Sequence, residues 1–173
     1  MEVGESSLPK AQFKARVVVS RLATSEEVLH IANRQAKAVL IDARTEAEYH
    51  GSDIRALRGG HIPGALNIKV QKNYDENEYK MLPINEFETL YKEVPMKERV
   101  ISYCQTGTRA AYTYLVLRQL GYENVAVYDD SWIVYGSNVN YPAEEEQWFN
   151  FIEINRTAKE VKELKEELQE LKK

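Results

Sequence analysis

The stretch RVISYCQTGTRAAYTYLVLRQLG, Arg99 to Gly121, decides the fold. Val100, Ile101 and Tyr103 form a short apolar, β-prone run with the pattern of a buried strand. The run stops at Cys104, the only cysteine in the chain. A polar loop follows, Gln105-Thr106-Gly107-Thr108, and then Arg109 to Leu120 reads as a helix. Ala110, Ala111, Tyr114, Leu115, Leu117 and Leu120 recur there at helical spacing, and Gly121 supplies the stop.

A cysteine between a strand and a helix start sits at the positive end of the helix dipole. The free amides of the loop and first turn favour an anion beside it. Both effects favour the thiolate, which is the nucleophile. Arg109 adds a fixed positive charge at the far end of the loop. A lone cysteine is also compatible with simple burial, because free cysteine is among the most buried residue types. Gly107 and Arg109 favour the reactive reading, since a packing thiol needs neither a glycine turn nor a cation.

Outward from this stretch, the chain alternates strands and helices. Val17-Val18-Val19 is expected to form an edge strand, and Thr24 with Glu27 fits a capping box opening a helix. Ala38 to Ile41 is a compact strand ending at Asp42. Thr45 with Glu48 repeats the capping-box pattern over a short helix. Arg58 to Gly64 is expected to be a glycine-rich turn, and Ala65 to Ile68 a strand. Residues 71–80 form a surface excursion and Ile84 to Val94 a helix. Val125 to Tyr128 is a further strand, with a turn at Asp129 to Trp132. This order predicts an α/β fold with a central, mainly parallel sheet flanked by helices. Sites in such sheets lie beyond the carboxyl ends of the strands, where both Asp42 and Cys104 fall.

From about Ala143 the pattern reads as one long helix. Ile154, Thr157, Val161, Leu164, Leu168 and Leu171 alternate by three and four, a seam of about two and a half heptads. Two readings stand for it: a solvated helix, or a short coiled coil that makes a homodimer. Trp148, Phe149 and Phe151 are expected to anchor its first turns. The resulting organisation is an arm over residues 1–16, a domain over 17–142 and a C-terminal helix over 143–173.

The chain has 173 residues, 43% hydrophobic and 29% charged, an ordinary globular composition. A net charge of −4 gives no reason to expect nucleic acid or an anionic membrane as partner. One cysteine leaves no internal disulfide framework, and no run is long and apolar enough to span a bilayer. MEVGESSLPK lacks a cationic region followed by an apolar core, so a cytoplasmic location is the default expectation. No metal-ligand pattern or cofactor motif stands out.

Several stretches resemble the rhodanese domain. VLIDARTEAEYHG, Val39 to Gly51, is similar to that family's Asp-x-Arg … Glu-Tyr … Gly segment, and GHIPGALN, Gly60 to Asn67, to its most recognisable string. YCQTGTR, Tyr103 to Arg109, resembles its active-site loop, and Leu120 to Trp132 its closing segment. The likeness covers roughly residues 20 to 142 and is nearest to the catalytic C-terminal half of tandem-domain sulfurtransferases.

The resemblance implies sulfane-sulfur transfer through a persulfide on Cys104, with thiosulfate as donor and cyanide or a thiol as thiophilic acceptor. No cofactor is implied. Gln105, Thr106, Gly107, Thr108 and Arg109 are the implied substrate-binding residues, with Asp42, Arg44 and Trp132 in support. Arg44 is expected to pair with Glu48, and Asp42 to brace the loop. His61 is expected to be structural, and Trp132 to wall the pocket or pack in the core. A 3-mercaptopyruvate donor, a polysulfide donor, or a relay taking persulfide from a protein partner are the alternatives. Cysteine phosphatases place five residues between Cys and Arg; only four separate Cys104 from Arg109, a tighter cradle that suits one sulfur atom. Asp130 stands where the family carries glycine, so strain is expected in that turn.

Overall fold

The computed structural model describes residues 11–12, 14–75, 77–78 and 80–172. Its elements run α1 (Ser25–Ala32), β1 (Val39–Asp42), α2 (Glu46–Tyr49), β2 (Arg58–His61), β3 (Leu66–Asn67), β4 (Tyr74–Asp75) and β5 (Lys80–Met81). They continue with α3 (Ile84–Leu90), β6 (Val100–Tyr103), α4 (Thr108–Gln119), β7 (Val125–Val127), α5 (Ser131–Tyr135), β8 (Glu144–Trp148) and α6 (Phe151–Glu170). Most of the arm over residues 1–16 lies outside the described residues.

The central sheet is parallel throughout, in the order β3-β1-β6-β7. Side chains alternate across a strand, so each strand feeds two cores. Leu40, Ile101 and Ala126 face one side, with Val28 and Ala32 of α1 and Trp132 and Tyr135 of α5. Ile41, Val100 and Val125 face the other, with Phe87 of α3 and Val116 and Leu117 of α4. Burial on both faces explains why these strands read as short continuous apolar runs.

Behind the carboxyl ends of β1 and β6 lies a buried charge. Arg44 and Asp42 are 1% and 0% exposed and meet at 2.6 Å. The Asp42 carboxylate accepts the Arg44 backbone amide and its Nε–H as well. Arg44 also donates to the Gly60 carbonyl at 2.7 Å, and its guanidinium lies 4.6 Å from the centre of the Trp132 ring. Four elements therefore close on one pair: β1, β2, β6 through Tyr103, and α5.

Three expectations are corrected. Val17–Val19 form no strand: Val19–Arg21 is a 3-10 turn, and only Leu22 reaches the sheet, by a single parallel bridge to Val127. Arg58 to His61 is not turn but strand β2. Its antiparallel partner β8 comes from the segment expected to open the C-terminal helix, which starts instead at Phe151 behind an Asn150 cap. The sequence Glu-Glu-Glu-Gln carries no strand signal, and side-chain hydrogen bonds to its carboxylates reinforce the backbone pairing. Glu144 accepts from His61 at 3.2 Å, Glu145 meets His50 at 2.6 Å, and Glu146 accepts from Arg58 at 2.7 Å. Gly60, at φ +104°, has no side chain to strike the Glu144 carbonyl, where a Cβ would lie 2.5 Å away.

Removing one partner of a buried ion pair leaves the other charge uncompensated, at about 3–5 kcal/mol. Asp42→Ala is therefore expected to lower unfolding free energy by about that amount in urea denaturation. A loss below about 1 kcal/mol would show that Arg44 reaches another partner.

Candidate active site

Cys104 follows the last residue of β6, and α4 begins four residues later behind a Gly107 cap. The loop is pinned on its inner side by the start of α5. The Cys104 amide donates to Ser131 Oγ at 3.1 Å, and the Cys104 and Gln105 carbonyls accept the Trp132 and Ile133 amides at 2.9 and 3.0 Å. Ser131 takes a left-handed conformation, φ +53°, to present this hydroxyl, which in turn donates to the Tyr128 carbonyl. The strain expected at Asp130 is not there: Asp130 has φ −54°, and the left-handed residue is its neighbour.

With the loop carbonyls tied inward, the amides of Gln105, Thr106, Gly107, Thr108, Arg109 and Ala110 have no acceptor among the described residues. The last three belong to the first turn of α4, where no intrahelical acceptor exists. Gly107 has φ +89°, and a Cβ there would fall 2.2 Å from Asp129 Oδ1. Only glycine fits both the backbone and the space. Thr106 and Thr108 are exposed, while Gly107 and Gln105 are buried. Gln105 donates through Nε2 to the Arg55 carbonyl at 2.7 Å, and its buried Oε1 has no partner among the described residues.

The thiol itself is deep. Cys104 is 1% exposed and packs with Ala43, Val70, Ala110 and Val127, flanked by Tyr74 and Tyr112. The sulfur therefore has apolar walls and a polar rim.

Arg109 is not the free cation the loop suggests. It donates two bonds of 2.7 Å to Glu48, a carboxylate with no exposed side-chain surface. The bonds to Glu48 hold its guanidinium charged against the cost of burial, and the nearby Cys104 sulfur adds to the effect. Glu48 has a second role, closing the Thr45 capping box at the start of α2. Burial alone would raise its pKa, but the bonds from Arg109 and Thr45 outweigh burial and hold it at about 2. Arg44, expected to pair with Glu48, pairs with Asp42 instead. Asp42 accordingly braces Arg44 and not the loop. Trp132 is fully buried in the core, donating from its indole N–H to the Arg58 carbonyl, so of the two readings the packing one applies.

The structure thus gathers Cys104, Gln105, Thr106, Gly107, Thr108 and Arg109 into one loop, and sets Asp42, Arg44 and Trp132 beneath it as a foundation. Three further contributors lie far off in sequence: Glu48, Ser131 and the half-exposed Arg55, whose Nε is 3.9 Å from Glu48. The capping-box spacing marked Glu48 as a helix-start residue, and nothing local marked its second partner. His61 is structural in the fold: buried, stacked on Tyr49 at 3.6 Å and bonded to the Tyr49 carbonyl. Among the described residues, no group of three or more His, Cys, Asp or Glu side chains is placed to hold a metal ion.

Two predictions follow from this geometry. Gly107→Ala is expected to lower stability, because a left-handed alanine is strained and its Cβ meets Asp129, and to slow modification of Cys104 by small anionic thiol reagents in the folded fraction at least tenfold, about 1.4 kcal/mol of transition-state stabilisation, read by mass spectrometry. For Glu48 the folded pKa, about 2, lies below its ordinary value of 4.5. Its stabilising contribution is therefore complete above pH 4.5 and drains away as pH falls toward 2. Glu48→Gln is expected to flatten that part of the stability–pH profile in acid denaturation.

Comparison with known proteins identifies the family of the chain. Residues 24–137 match the family described as Rhodanese-like domain. The chain is 36% identical over 153 residues to a thiosulfate sulfurtransferase of Corynebacterium glutamicum, covering 79% of this chain and 48% of that protein. It is 31% identical over 149 residues to the 3-mercaptopyruvate sulfurtransferase of Escherichia coli, covering 83% of this chain and 52% of that one. Among solved structures, the Tum1 protein of Saccharomyces cerevisiae superposes with a TM-score of 0.63 at 24% identity, over 74% of this chain and 48% of that one. An EanB variant carrying a cysteine persulfide, with ergothioneine, gives 0.68 at 22%, over 80% of this chain and 36% of that one. The chain spans about half the length, or less, of these relatives.

Proposed function

We propose that this chain, which belongs to the rhodanese-like family, transfers sulfane sulfur from thiosulfate to a small thiophile through a persulfide on Cys104. The observation that carries the reading is the set of six amides, Gln105 to Ala110, that directly follow the single cysteine of the chain and have no acceptor among the described residues.

The chemistry follows from that set. The Cys104 thiolate attacks the outer sulfur of thiosulfate. A sulfur–sulfur bond forms, the bond from that sulfur to the sulfonyl group breaks, and sulfite leaves with the electron pair. Cyanide or a thiolate then attacks the outer persulfide sulfur, and the Cys104 thiolate leaves. This is covalent catalysis in two steps, with ping-pong kinetics.

Two anions must approach each other in the first step. Like charges 4 Å apart repel by about 1 kcal/mol in water, and by more where water is excluded. Because Glu48 already neutralises Arg109, the amides carry the larger part of the offset, acting as donors fixed before the reaction begins. Arg109 acts mainly by position: tied to α2, it holds the first turn of α4 beside the sulfur. The persulfide helps the second step sterically. A disulfide-type bond of about 2.05 Å moves the reactive sulfur outward from its apolar pocket toward the acceptor.

A second donor class has a specific observation in its favour. The charge balance between Arg109 and Glu48 lessens the site's demand for a dianion, and one relative covering 83% of this chain is a 3-mercaptopyruvate enzyme. A polysulfide or a protein persulfide would meet the same amides.

Incubation with thiosulfate is expected to add the mass of one sulfur to the chain. Cyanide should remove it, and Cys104→Ala should abolish it. Steady-state comparison of thiosulfate, 3-mercaptopyruvate and polysulfide is expected to give thiosulfate the highest kcat/KM. An unmodified Cys104 after thiosulfate treatment, with turnover of 3-mercaptopyruvate, would reassign the donor.

A further inference from the structure

We infer that α6 is one strand of a parallel, two-stranded coiled coil, and that its partner is a second copy of this chain. The helix runs 20 residues, about 30 Å, with no buried residue along it. Ile154, Val161, Leu164, Leu168 and Leu171 form one stripe and are 43% to 85% exposed. Isolated helices with such a stripe are marginal in water and gain most of their stability by packing it.

The identity of the partner is written in the residues beside the stripe. Ile154, Val161 and Leu168 occupy the first core position of successive heptads, and Thr157, Leu164 and Leu171 the second. Two of the three first positions are β-branched and two of the three second positions are leucine, the pattern that favours a parallel pair of strands. The flanking position before each first core residue is glutamate: Glu153, Glu160 and Glu167. The flanking position after each second core residue is Ala158, Lys165 or Lys172. In a parallel pair, these two rows face each other across the seam. Glu160 of one copy then meets Lys165 of the other, and Glu167 meets Lys172, with both pairs repeated by symmetry. In an antiparallel pair each row would face itself, glutamate against glutamate and lysine against lysine. The same helix is thus complementary to itself in one orientation and repulsive in the other.

The foot of the helix continues the apolar surface. Ile154 and Phe151 line a hollow with Trp148, Phe149, Ala56 and Leu57. Parallel pairing brings the two feet to the same end of the coiled coil, next to the two-fold axis. It lengthens the buried seam beyond the helix itself.

Sedimentation equilibrium of the full chain, from micromolar to millimolar protein, is expected to give a mass near twice 20.0 kDa. Lys165→Glu with Lys172→Glu sets like charges across the parallel seam and is expected to weaken association about tenfold at low salt, with the loss shrinking as salt rises. Mixing that variant with Glu160→Lys, Glu167→Lys is expected to restore dimers of mixed composition, which excludes misfolding as the cause. Leu171→Cys in a Cys104→Ser chain is expected to cross-link readily on oxidation, because only a parallel pair brings the two ends together. Monomers throughout the range, failure of the mixture to recover, or slow cross-linking at Leu171→Cys would overturn the inference.

Discussion

The fold rests on a buried contact between opposite charges directly beneath the reactive loop. Asp42 and Arg44 have almost no contact with solvent, and the Arg44 amide, Nε and Nη2 all donate to partners within the body. Such a pair is poor at adding stability, because desolvation consumes most of the attraction. It is good at excluding alternatives: any packing that moves β2, Trp132 or the end of β1 strands a charge in low dielectric. Apolar residues of the same volume would fill the space without dictating where the Gly60 carbonyl and the Trp132 ring must lie. The floor of the loop is set by this demand for satisfaction.

Above that floor, a second charged contact sets the roof. Glu48 stands at the start of α2 and Arg109 in the first turn of α4, so their two bonds lock two helix starts together. The carboxylate serves both the cap of its own helix and the guanidinium of the other. The loop between is left with donors and few acceptors, because the Cys104 and Gln105 carbonyls are spent on α5. A loop of this kind is electropositive without net charge, and can hold an anion close to a neutralised ion pair.

Much of this was legible in the sequence, because it depends on near neighbours. The buried strands ending at Asp42 and Tyr103, the Thr45 capping box, and the loop between Cys104 and Arg109 are all local patterns. What could not be read was pairing at long range. Arg44 and Arg109 are equally good partners for Glu48 on paper, and the choice is made by the sheet, which sets Asp42 beside Arg44. β8 was illegible for another reason. Glu-Glu-Glu-Gln favours helix by propensity, and its strand conformation depends on distant partners: the β2 backbone and the side chains of His61, His50 and Arg58. Ser131 hid its role the same way: a left-handed serine is unfavourable alone and is held there by the bonds its hydroxyl makes to Cys104 and Tyr128.

The seam joining β8 to the body has a material property of its own. It is fastened by carboxylates and backbone, its five residues are all exposed, and apart from Trp148, which lines the hollow with Ala56 and Leu57, little grease is lost when it parts. The part matching the family ends at residue 137, ahead of this seam. A zip made of hydrogen bonds can be undone and remade in water without spilling the hydrophobic interior. The stalk beyond it is therefore a modular fitting: mechanical load on α6 would peel the polar ribbon first and leave the sulfur's chamber intact.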